Sequence, residues 1–94
     1  MATYFMFGKY SMDAVGKISA GRTEKGAAII GDCGGEAKAA YVLLGDVDLV
    51  LIADFPSTEA AMKASVALSK EMGIGFTTAP AISVEEFDKL IPGG

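Results

Sequence analysis

Short apolar runs and helical spacings alternate along this chain in a regular order. The most informative stretch is Gly45-Asp46-Val47-Asp48, which sits between Ala39-Ala40-Tyr41-Val42-Leu43-Leu44 and Leu49-Val50-Leu51-Ile52-Ala53. Both flanks have the length and composition of strands, and Gly-Asp supplies a turn. The segment therefore reads as a tight hairpin, with strands over about 36–44 and 47–55 and a carboxylate opening the second. If the turn lies at Gly45-Asp46, Leu43 pairs with Asp48 and Tyr41 with Val50.

The rest of the chain supplies the remaining elements. Residues 2–10 alternate loosely and are rich in aromatics, which predicts a first strand. Ser11 can cap a helix over 12–33, where Val15, Ile18, Gly26, Ile29 and Ile30 recur at helical spacing. Gly16, Gly21 and Gly26 weaken that helix and predict a break near residues 20–22. Gly34-Gly35 stops it. A second helix spans 58–72, with Ser57 as its cap and Glu59 favourably placed in its first turn. Gly73-Ile74-Gly75 ends it, and a fourth strand runs over 76–81. Ser83-Val84-Glu85-Glu86 then forms a capping box into a short last helix carrying Val84, Phe87 and Ile91.

The order is β-α-β-β-α-β plus a terminal helix, one domain over residues 1–94. It is the α+β, ferredoxin-like pattern: a four-stranded antiparallel sheet with strands one and three in the middle and both helices on one face. On this reading strands one and three run as parallel neighbours, which sets Lys9 and Tyr10 beside Asp54. Strand three carries Asp48, Val50, Ile52 and Asp54 on one face and Leu49, Leu51, Ala53 and Phe55 on the other. A half-exposed antiparallel strand alternates apolar with polar, whereas this one is apolar on both sides. Strand one does the same, with Tyr4, Met6 and Tyr10 against Phe5 and Phe7. Helices cover one side, so a second sheet is expected on the other, in a homodimer of two sheets face to face.

Composition agrees with a covered apolar surface. The 94 residues are 51% hydrophobic, a high share for a chain with so much surface to clothe. No run is long enough to span a bilayer, and the start lacks the basic segment of a signal peptide. A net charge of −4 without a Lys/Arg cluster argues against nucleic acid. One cysteine cannot form an internal disulfide, which fits the cytoplasm. The chain has no His, Trp, Asn or Gln. Imidazole bases, haem ligation by His and zinc–His sites are therefore excluded. No metal or cofactor is expected.

Tyr41-Val42-Leu43-Leu44-Gly45-Asp46-Val47-Asp48 follows a Tyr-x-x-Leu-Gly-x-Tyr-Asp run, with Tyr41, Leu44, Gly45 and Asp48 in place. Through this run, the Thr3-Tyr4 strand and the Ala/Leu-rich second helix, the whole chain resembles the GYD-domain family. The resemblance implies the dimeric α/β-barrel form of the ferredoxin-like fold, and it assigns no reaction. Val47 stands where the family carries its tyrosine. Roles of Gly45 and Asp48 carry over; a role of that phenol does not.

Asp48 is the first candidate for chemistry. The hairpin register puts Tyr41 on its face, one diagonal step away. A carboxyl group and a phenol sharing an apolar cavity form an acid–base pair, since burial favours the neutral acid. The structural alternative is that Asp48 caps the turn through backbone N–H groups. Asp54 with Lys9 or Tyr10 is the second candidate, against a rim salt bridge of little energetic consequence. Tyr4 joins these as a possible ligand contact. Cys33 ends a helix and so lacks the activation that a helix N-terminus gives a thiol. Gly31-Asp32-Cys33-Gly34-Gly35 follows a helix and lacks the Lys-Ser/Thr of a phosphate loop. Arg22, Glu24 and Lys25 read as a solvated helix segment. Two functions follow: a dimeric module binding a small hydrophobic molecule between sheet and helices, or a cofactor-independent enzyme, monooxygenase- or isomerase-like, using Asp48 and Tyr41.

Overall fold

The computed structural model describes residues 1–11, 20–91 and 93. Its elements are β1 (Ala2–Tyr10), α1 (Ala20–Asp32), β2 (Glu36–Val42), β3 (Leu49–Phe55), α2 (Thr58–Met72), β4 (Ile74–Ala81) and α3 (Val84–Leu90). The strands form one sheet in the order β2-β3-β1-β4. This is the ferredoxin-like topology, with the expected pair of strands at its centre.

The centre is antiparallel, not parallel: Thr3 lies opposite Asp54 and Gly8 opposite Leu49. The reason lies in the connections. β1 and β2 are the parallel pair of a split βαβ unit, and the hairpin return of β3 fills the space between them. The C-terminal end of β1 therefore meets the start of β3. Lys9 and Tyr10 lie at the Asp48 end of the sheet, and Asp54 lies at the other.

Helix boundaries follow local chemistry. Ser57 accepts a hydrogen bond from the Ala60 N–H at 3.1 Å, and Ser83 accepts from Glu86 N–H at the same distance. Gly34 (φ +83°) and Gly73 (φ +66°) take the left-handed conformation that closes α1 and α2. Gly73 alone ends α2, so β4 starts at Ile74, two residues earlier than expected. The described part of α1 runs from Ala20 through Gly21 and Arg22 without a break; the expected helix over 12–19 lies outside the described residues. Ala61, Ala64 and Leu68 put the buried stripe of α2 on the sheet, where Tyr4, Met6, Ala53, Phe55 and Ile30 complete the core.

The hairpin has the expected register, Tyr41 opposite Val50, extended by a Leu43 N–H to Asp48 carbonyl bond of 2.9 Å. Its strands are shorter than expected: β2 ends at Val42 and β3 begins at Leu49, which leaves a wider loop. Gly45 sits in this loop at φ +155°, with no atom within 4 Å of where a Cβ would stand. Ala there meets backbone strain and no steric clash. We expect Gly45→Ala to destabilise by about 1 kcal/mol, read from the denaturant midpoint; an unchanged midpoint contradicts it.

By strand alternation, Tyr4, Met6, Leu49, Leu51, Ala53 and Phe55 face the helices. Phe5, Phe7, Val50 and Ile52 face away, with Phe5 opposite Ile52 and Phe7 opposite Val50. Val50 is buried yet stands outside the main core cluster. The Phe5 and Phe7 rings lie 6.2 Å apart on this second face. α3 buries none of its residues, so Val84, Phe87, Leu90 and Ile91 are at least half exposed.

Candidate functional site

A cavity of about 470 Å³ lies between α1, the C-terminal half of α2 and the helix side of the sheet. Ile30, Leu49, Leu51, Leu68 and Phe76 supply apolar walls. Gly8 makes room for one of them: a Cβ at that position would stand 2.8 Å from the Phe76 ring. The residues with polar side chains in the lining, among the described residues, are Tyr10, Arg22, Thr23, Lys38 and Tyr41. Lys38 already faces Glu36 at 3.3 Å and Asp54 at 3.7 Å. Arg22 donates to the carbonyl of Met72 at the end of α2, and Lys25 reaches Glu71 on the same helix at 3.1 Å. Arg22 thus ties α1 to α2, while Thr23, Glu24 and Lys25 are exposed, as the solvated segment was expected to be.

The structure divides the six sequence candidates. Asp48 is half-buried, and its Oδ2 accepts the Tyr10 backbone N–H at 2.9 Å. Its own N–H donates to the Gly8 carbonyl at 2.9 Å. These bonds fasten the start of β3 to the end of β1. The carboxylate thus does structural work, capping the end of β1 where the sequence reading looked to the turn. Tyr41 shares that side of the hairpin and is 57% exposed, so no described residue encloses the pair. Tyr4 is buried against Phe55 and satisfies its hydroxyl on Thr58 at 3.0 Å. Asp54 accepts from Thr3 Oγ1 at 2.6 Å and faces Lys38 at 3.7 Å; Lys9 and Tyr10 lie at the other end of the sheet. Lys9 is exposed, opposite Gly75. Of the six, Tyr10 and Tyr41 border the cavity.

The sequence reading missed Arg22 as a site residue. A signal was present: Arg22, Gly26 and Ile30 recur every fourth position and so share one helix face, and all three line the cavity. Among the described residues, no cluster of His, Cys, Asp and Glu is arranged to hold a metal ion. Cys33 is a free, partly buried thiol.

Two variants at position 48 separate the roles. Asp48→Asn keeps an acceptor for the Tyr10 N–H and should shift stability by less than about 1 kcal/mol. Asp48→Ala removes a charge-assisted bond and should cost about 1–2 kcal/mol. Thermal melts check both, and an Asn variant as impaired as the Ala variant contradicts the capping role.

Residues 4–91 match the GYD domain, and the chain belongs to that family. No curated protein matches it. Among solved structures, it is similar to the leucine response regulatory protein LrpA of Mycobacterium tuberculosis, with a TM-score of 0.58 and 10% sequence identity. The likeness covers 88% of this chain and 51% of the regulator, so the chain spans about half that protein's length. At that identity the likeness is one of fold.

Proposed function

We propose that the chain works as a homodimeric module that holds a small hydrophobic molecule between its sheet and its helices. The observation that carries the reading is the cavity: about 470 Å³ with mainly apolar walls and a few polar groups, within the size range of small-molecule sites. The second face of the sheet supports the dimer. Phe5, Phe7 and Ile52 are partly exposed there, and no described helix packs over them. Two such faces stacked about a twofold axis cover each other. The single free thiol agrees with a cytoplasmic setting. No described helix is long and apolar enough to cross a membrane.

Sedimentation equilibrium at micromolar concentration tests the dimer, which should bury roughly 1,200 Å² or more in total; a stable monomer contradicts it. Titration with a neutral apolar fluorophore tests the cavity. Saturation at one probe per chain, lost when Leu51→Trp fills the space, is the expected result.

A further inference from the structure

We propose that α3 docks on the β2–β3 hairpin of a second copy of this chain and closes that copy's cavity at its open rim. The proposal rests on the homodimer and the cavity set out above, and adds what each subunit gives to the other's site. α3 is a two-sided helix with none of its residues buried. At about 100° per residue, Val84, Phe87, Leu90 and Ile91 fall on one side, and Glu85, Glu86, Asp88 and Lys89 on the other. Three acids and one lysine make a polar side unlike the Lys/Arg-rich one of a helix that lies on a membrane, so the apolar side awaits protein. The chain is also more extended than its length requires: its radius of gyration is 14.3 Å, against about 12 Å for a compact domain of this size.

The matching surface is the hairpin. Leu44 is fully exposed, and Tyr41 and Val42 are more than half exposed. Tyr41 and Val42 also line the cavity, so its mouth opens past them. Within one subunit the two apolar patches cannot meet. β4 ends at Ala81, opposite Thr3, on one edge of the sheet. The hairpin joins Val42 to Leu49 on the other edge and at the other end. A twofold axis that runs between the stacked sheets, along the diagonal through the remaining two corners, brings each α3 to the partner's hairpin. It also crosses the strands of the two sheets near right angles, one of the two ways in which sheets pack. Area points to the same occupant. Four strands of this length present a face of roughly 500 Å², so the sheets alone bury about 1,000 Å² in total, short of the roughly 1,600 Å² of a standard interface. The α3–hairpin contact occurs twice about the axis and supplies the rest.

Crosslinking tests the contact. In a Cys33→Ser background, Leu44→Cys and Phe87→Cys together should yield a covalent dimer with a short bismaleimide, and neither alone should. Phe87→Asp and Leu44→Asp alter side chains that are exposed in their own subunit, and far-ultraviolet circular dichroism should stay native. Each should weaken the dimer by about tenfold or more in sedimentation, as loss of an apolar anchor does. Each should also raise the Kd of the neutral apolar fluorophore by about fivefold or more, because the partner's helix no longer closes the rim. A dimer whose association and crosslinking ignore both positions overturns the proposal and leaves the homodimer standing. A weakened dimer with unchanged fluorophore affinity overturns the closing of the cavity. An unaltered protein that sediments as a monomer overturns the proposal and the homodimer together.

Discussion

Phe55→Ala should cost about 3–5 kcal/mol, the range for deleting a buried aromatic ring from a well-packed core. Phe55 is fully buried at the end of β3. Its ring meets Tyr4 edge-on, with centroids 5.8 Å apart and planes at 69°. The chain also leaves space for it: a Cβ on Gly35 would stand 2.6 Å from that ring. Removing the ring empties a volume in the core cluster it shares with Tyr4, Met6, Ile30, Ala61 and Ala64. Domains of this size are stable by about 5–15 kcal/mol, so the loss is a large part of the total. Guanidinium denaturation at fixed protein concentration reads it, since dissociation and unfolding are linked in a dimer. Phe55→Leu, which keeps most of the volume, should cost about 1–2 kcal/mol. An Ala variant within about 1 kcal/mol of the parent contradicts the packing described above.

The second large effect concerns assembly. Phe7→Asp places a charge at the middle of the sheet's second face, opposite Val50 and Thr77. In a monomer that carboxylate is hydrated and costs little. Between two stacked sheets it is an unpaired buried charge, worth several kcal/mol against association. The variant should therefore sediment as a folded monomer while its far-ultraviolet circular dichroism stays native. Thr77→Asp, on the exposed edge strand of the same face, should weaken the dimer less. A Phe7→Asp protein that remains dimeric shows that the subunits meet through another surface, with the α3 residues Phe87 and Leu90 the next to examine.

Much of the fold was legible in the sequence because the signals were local. The limits of α2 followed from Ser57 and Gly73, whose capping bonds depend on adjacent residues. The hairpin register followed from Gly45 and the two apolar runs, since a shift by one residue would reverse every side chain. The two-sided apolar character of β3 was equally plain. Direction across the sheet was harder: whether β1 runs with or against β3 depends on the path of the whole βαβ unit. That error moved Asp54 to the wrong end and paired it with Lys9 and Tyr10. Asp48 was recognised as a special residue, but its partner is the Tyr10 backbone N–H, which no side-chain pattern reveals. Arg22 was missed for a related reason. Its partner is the Met72 carbonyl, far away in sequence, and a charged residue among glycines near a helix start reads as surface until α2 is packed beside it.

Native mass spectrometry of the purified protein tests pairing and cavity occupancy in one spectrum. The expected spectrum shows a dimer or a multiple of it, with an added mass per chain that leaves on collisional activation and is that of a small apolar molecule. A bare monomer at micromolar concentration contradicts it.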